Sequence, residues 1–351
     1  MTAKPAGTHT RHEILTQPQT WSATLQQLGQ LDAGSLPDPR EFEQVIFCGC
    51  GSTHYLSLWA ARQCETRTGV VSRAAPSSEL LLFPDSWGNG KHRKLLVAVS
   101  RSGQTTETVQ ALKHFLEAKA GEAVVITCYP DSTIAKLGAR IIVVPEGQEQ
   151  SVAQTRSFTN MMLAVLWLIE RGIPDELPHR LGDAGRALLE THARQAEQIG
   201  RDETIQRLFF LGSGPLYGLA NEAMLKMKEV SLSYAEAFHF HEFRHGPMSM
   251  VDSQSLVIGL LHDENWEQQQ AVLRDMKVLG ARTLGETEDH AGDPSMDEVV
   301  AFQSGIAGEW RAPLYLPVLQ LMAYERSMHK GLNPDLPANL TAVVVLNDRL
   351  Q

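Results

Sequence analysis

The chain has 351 residues, 43% of them hydrophobic and 21% charged, and a formal net charge of −10. That length exceeds what one hydrophobic core usually organises and points to two domains, while the composition excludes a disordered or fibrous chain. The acidic balance argues against nonspecific binding to nucleic acid or to an anionic membrane, and leaves a small anion held by local donors as the ligand to expect.

After a polar leader, Pro18–Leu31 reads as one amphipathic helix, stopped by Asp32-Ala33-Gly34 and a proline-rich connector. Short apolar runs then follow at Val45–Cys48, Leu95–Val99, Ala123–Cys128 and Ile141–Val144, with helical stretches near 54–67, 105–118 and 132–138 between them. Strands alternating with helices predict a mostly parallel sheet covered on both faces. Two helices come next, about Ser157–Arg171 and Leu181–Ile199, and the pattern restarts: strand Leu208–Leu211, helix Tyr217–Ser231, strand Leu256–Leu261, helix Trp266–Leu279. The openings IFCGCGSTHYLSLWAAR and LFFLGSGPLYGLANEAM echo each other, so the fold class is α/β with two tandem doubly wound parallel-sheet domains. The expected division is a helical leader over 1–42, domains over 43–198 and 199–340, and a tail over 341–351.

The first strand of domain one runs into Gly49-Cys50-Gly51-Ser52-Thr53, and the next into Ser100-Arg101-Ser102-Gly103-Gln104-Thr105. In a doubly wound sheet, ligands collect at the C-terminal ends of strands, where hydroxyls, a close-approaching glycine and a helix N-terminus suit a phosphate. Such turns also arise as plain helix caps. GCGSTH lacks the third glycine of a dinucleotide fingerprint, and no Walker loop is present. The corresponding strand of the second half, LVIGLLHDENW, has no such loop, so one phosphate site per chain is expected, in domain one.

Four cysteines, Cys48, Cys50, Cys64 and Cys128, form neither a CxxC pair nor a secreted framework. With no apolar signal core at the N-terminus, and the longest apolar stretch, near Met161–Ile169, too short for a bilayer, a cytoplasmic protein is expected. In the second half Glu222, Lys226 and Glu229 recur on one helix face, a spacing that suits either a solvated ion-pair stripe or a partly buried proton-transfer group. His239, His241 and His245, with Glu236 or Glu242, are donors that zinc accepts, but no zinc-enzyme spacing such as HExxH is present and no metal is expected. His245 differs from the other two in preceding Gly246-Pro247, which fixes a sharp turn after it.

In order and at their intervals, CGCGST, SRSGQT, SVAQTRSFT, EAMLKMKE and EFRHGP resemble the sugar isomerase (SIS) family. More narrowly they resemble the isomerase half of glutamine:fructose-6-phosphate amidotransferase. The resemblance implies flavodoxin-like SIS domains. It also implies a phosphosugar held by Ser52, Thr53, Ser100, Arg101, Ser102 and Thr105, with the backbone around Val152 close by. It further implies Glu229 as the group that moves a proton between C1 and C2, with Lys226 beside it, and His245 as the ring-opening residue that reaches in from the partner subunit of a homodimer.

Three departures shape the expected reaction. The family's glutaminase half has no counterpart ahead of the first strand, so ammonia from glutamine is not expected. Ala342 in PANLTAVVVL stands where the family has a lysine that forms a Schiff base with the keto sugar, and Gln154 replaces a phosphate-binding serine. The leader HEILTQPQTW is also similar to the opening of SIS-type glucosamine-6-phosphate deaminases. The expected activity is therefore deamination of glucosamine 6-phosphate to fructose 6-phosphate and ammonia, without a metal or organic cofactor. The alternatives are an isomerase without glutaminase, a fructosamine-phosphate deglycase, a galactosamine-6-phosphate deaminase, or a non-catalytic sugar-phosphate sensor.

Overall fold

The computed structural model describes residues 5–87, 92–289, 292–344 and 346. Residues 1–4 of the expected leader and 345 and 347–351 of the expected tail lie outside them. Among the described residues no helix is long and apolar enough to cross a membrane.

The first sheet contains β1 (Gln44–Gly49), β2 (Val71–Pro76), β3 (Lys94–Val99), β4 (Glu122–Thr127) and β5 (Arg140–Val143) in the order β2-β1-β3-β4-β5, every pairing parallel. The second contains β6 (Arg207–Leu211), β7 (Tyr234–Phe238), β8 (Ser255–Leu260), β9 (Arg282–Thr287) and β10 (Glu298–Ala301) in the order β10-β9-β8-β6-β7, again all parallel. Renumbered within each half, both orders are the same, two-one-three-four-five. This is the doubly wound α/β architecture read from the alternation of strands and helices.

Alternation along each central strand divides the core between two faces. On one face of the first sheet Ile46, Cys48, Leu96, Ala98 and Val125 pack with Leu112 and Phe115 of the helix Thr106–Glu117. In the second sheet Phe209, Leu211 and Val257 meet Val272, Leu273 and Met276 of the helix Trp266–Val278 in the same way. The helices Ser52–Thr68 and Arg156–Glu170 pack together in the first unit, and Leu216–Ser231 packs with Pro317–His329 in the second.

Two compact units result. One gathers residues 20–149, 156–178 and 341–351 about the first sheet; the other gathers 1–19, 150–155 and 179–340 about the second. The leader contains a helix the sequence pattern does not signal, Thr8–Leu15, ahead of the expected one, which runs Gln17–Leu28. The stretch 132–138 forms only the single 3-10 turn Ile134–Lys136, because Gly138 takes a left-handed φ of 86° and the chain turns away into β5.

Candidate active site

Both hydroxyl-rich turns lie at the C-terminal ends of adjacent strands, β1 and β3. After β1 the chain turns at Gly51 (φ 57°) into the helix Ser52–Thr68, and Ser52 and Thr53 are buried in its first turn. The Thr53 hydroxyl closes this turn, donating to the Cys50 carbonyl and accepting the Cys50 N–H, both at 2.9 Å. Gly49 must be glycine, since a Cβ there would lie 2.5 Å from Thr53 Oγ1. Cys50 packs its sulfur 3.5 Å from Thr108 Oγ1, and burial raises its thiol pKa.

After β3 the buried Ser100 extends the ladder by donating its N–H to the Ile126 carbonyl at 3.0 Å. Its hydroxyl oxygen accepts the Gly103 N–H at 3.1 Å, and that of Ser102 accepts the Gln104 N–H at 3.1 Å. The hydroxyls therefore shape the loop while keeping hydrogens that can be turned toward an anion. Thr105 is the N-cap of Thr106–Glu117 and makes no side-chain cap bond.

Arg101 is buried in this loop. Its guanidinium lies 3.6 Å from the wholly buried carboxylate of Glu149 and donates to the Ala342 carbonyl at 2.9 Å. The C-terminal segment is bound again one turn on, where Val344 accepts the Thr106 N–H at 3.3 Å and Thr106 Oγ1 accepts the Leu346 N–H at 3.1 Å. Glu149 is a site residue the sequence pattern did not single out. Its signal was an arginine in SRSGQT where the resembling motif has glutamine, since a buried guanidinium needs an acid.

In the unit of the second sheet, the helix Leu216–Ser231 places Glu222, Lys226 and Glu229 on one side. Lys226 Nζ lies 3.3 Å from Glu222 Oε1 and 2.5 Å from Glu229 Oε2. The stripe is not solvated: side-chain exposure is 0% at Glu222, 2% at Lys226 and 20% at Glu229. Burial opposes the lysine's charge, but attraction to Glu222 and Glu229 outweighs it and holds the Lys226 pKa above its ordinary value. The row thus has a sealed end, Glu222, and one carboxylate that reaches solvent, Glu229.

His245 lies on the exposed surface, its N–H donated to the Glu242 carbonyl at 2.9 Å and Gly246 following at φ 126°. His239 stacks on Tyr217 with ring centroids 3.8 Å apart. Among the described residues no three His, Cys, Asp or Glu side chains are grouped as metal ligands would be. Val152 and Gln154 lie in the segment 150–155, where Val152 donates its N–H to the Asp335 carbonyl at 3.1 Å.

Comparison with known proteins bears on these features together. The chain is 26% identical over 355 residues to glutamine–fructose-6-phosphate aminotransferase (isomerizing) of Methanothermobacter thermautotrophicus, covering 95% of this chain and 57% of that protein. Its Pseudomonas aeruginosa counterpart is 27% identical over 364 residues, at 95% and 58% coverage. The chain therefore spans a little over half the length of these curated relatives. Among solved structures, it superposes on tagatose-6-phosphate ketose/aldose isomerase from Escherichia coli with a TM-score of 0.86, at 24% identity and 99% coverage of both chains. Glucosamine-6-phosphate deaminase from Thermotoga maritima gives a TM-score of 0.81 at 25% identity, covering 96% of this chain and 99% of that one. The SIS domain model matches twice, over residues 40–171 and 204–325, once on each sheet. With both halves of the chain matched, the protein belongs to the SIS domain family.

Proposed function

We propose that the chain is a phosphosugar aldose-ketose isomerase of the deaminating kind, converting glucosamine 6-phosphate and water to fructose 6-phosphate and ammonia. The observation that carries this reading is the buried Glu222–Lys226–Glu229 row, which ends in a carboxylate held 2.5 Å from a charged ammonium yet open to solvent. Ser52, Ser100, Ser102 and Thr105 hold the phosphate, which spends remote binding energy on placing C1 and C2. Thr53 and Arg101 shape the two loops. His245, acting as the partner's His245 in a homodimer, assists ring opening, and Glu229 takes the proton from C2 and returns it at C1. Lys226 orients Glu229 through its 2.5 Å contact and places a positive charge beside it.

The isomerised species is an imine at C2, and water adds there as ammonia leaves, so atoms balance without a redox partner. The similarity to the Thermotoga maritima deaminase supports this direction of reaction, as does Ala342 at the position of the Schiff-base lysine. The test is a panel of glucosamine, galactosamine and fructosamine 6-phosphates and the parent hexose 6-phosphates, with ammonia and ketose measured separately. Ammonia from glucosamine 6-phosphate is expected. Ketose interconversion without ammonia would make the chain a simple isomerase, and binding without turnover a sensor.

A further inference from the structure

The leader motif HEILTQPQ has no part in the chemistry above, yet its one acid is among the most buried in the chain: Glu13 is 2% exposed. Its carboxylate accepts the Gln150 N–H at 2.6 Å and the Ser151 N–H at 3.3 Å, and it also accepts the Ser151 hydroxyl. A second acid works on the same segment. Asp335 accepts the Thr10 N–H at 2.7 Å, the Thr10 hydroxyl at 2.8 Å and the His9 N–H at 3.2 Å, capping the helix Thr8–Leu15, whose own N-cap, Gly7, offers no side chain. Its carbonyl then receives the Val152 N–H at 3.1 Å.

Gln150, Ser151 and Val152 thus each donate a main-chain N–H to one of two acids tied to the same short helix. The segment 150–155 groups with this helix, in the unit of the second sheet, although Glu149 and Arg156 on either side of it group with the first. A carboxyl group buried this deeply is tolerated only while its donors stay in place, so the burial of Glu13 and the conformation of the segment are one equilibrium.

We propose that Glu13 is a positioning residue for phosphosugar binding, acting through Ser151, with Asp335 as its second anchor, so that the leader helix sets where Val152 and Gln154 meet the substrate. This rests on the functional reading above, with Val152 and Gln154 at the phosphosugar as the family resemblance implies. Neither acid touches substrate, and their loss is felt in KM more than in kcat.

The test combines Glu13→Gln, Ser151→Ala and the double variant, with hydrogen exchange at the amides of 150–152 and steady-state kinetics on glucosamine 6-phosphate. Glutamine presents an N–H where the segment presents donors. We expect exchange at 150–152 to accelerate and KM to rise about ten-fold with kcat within about two-fold, the loss of one hydrogen bond to a charged group. The double variant is expected to be no worse than Glu13→Gln alone, because both changes break one contact. Ser151→Ala removes only a hydroxyl and serves if Glu13→Gln does not fold. Faster exchange with an unchanged KM, or a fall in kcat alone, overturns the positioning role while leaving the functional reading standing. A wild-type chain that turns over no phosphosugar fails the functional reading itself, and the proposal with it.

Discussion

Lys226 Nζ lies 2.5 Å from Glu229 Oε2 at a point where the lysine is only 2% exposed. The ammonium is shared with the fully buried Glu222, so the three charges act as a unit. Lys226→Met leaves the buried Glu222 carboxyl without the ammonium it faces, and should cost about 3–5 kcal/mol in urea denaturation as well as turnover. Glu229→Gln keeps the pair Glu222–Lys226 and should lower kcat by about 100-fold or more with far less effect on stability. Equal stability losses in the two variants would show that Glu229 is structural. Because the folded pKa of Lys226 is raised, its contribution is complete below the ordinary lysine range and is lost as pH rises from that range through the raised value.

Glu286 on β9 is fully buried, and neither carboxyl oxygen has a hydrogen-bond partner. Burial raises its pKa well above the ordinary 4.5, so the folded chain keeps a proton that the unfolded chain gives up. Stability is therefore lost as pH rises from about 4.5 toward the folded value, by about 1.4 kcal/mol per pH unit. Glu286→Gln should be the more stable protein at pH 7, with the advantage vanishing near pH 4. A stability difference that does not change with pH would contradict this.

Gly103 holds φ 61° with the space for a Cβ already filled, 2.2 Å from Ser132 Oγ. Gly103→Ala should cost about 1–3 kcal/mol from the left-handed backbone alone. It should also displace the Ser100–Ser102 loop, weakening phosphosugar binding beyond what the loss of stability explains. Calorimetric titration with fructose 6-phosphate beside a melting curve separates the two effects.

Arg101→Gln removes the cation that Glu149 faces and the donor to Ala342. The segment 341–346 should then be cleaved about ten-fold faster in limited proteolysis, as expected for losing one charge-assisted hydrogen bond. Unchanged cleavage would mean that the bonds at Thr106 hold the segment unaided.

What could be read from the sequence follows the burial of apolar residues; β9, buried but reading RTLGET, was not visible. Val45–Cys48 and Leu95–Val99 are covered on both faces and show as unbroken apolar runs. The edge strands Val71–Pro76 and Tyr234–Phe238, which occupy equivalent places in the two sheets, are half exposed and carry Ser, Arg and Glu, so no periodicity marks them. The helix Thr8–Leu15 is polar and is capped by an acid more than 300 residues away, which no local pattern can signal. The spacing of Glu222, Lys226 and Glu229 was visible, but their burial was not, because it depends on how Leu216–Ser231 packs against β6, β7 and Pro317–His329.

The four cysteines have a use unconnected with chemistry on sugars. All belong to the unit of the first sheet; Cys48, Cys64 and Cys128 are buried, and burial pushes the Cys48 thiol up to about 12 and that of Cys128 higher still. Thiolate is the reactive form, so these sulfurs stay silent toward alkylating reagents until that unit opens. The other unit contributes no thiol, and once the half-buried Cys50 is replaced the rate of labelling is a clock for the opening of one half of the protein alone.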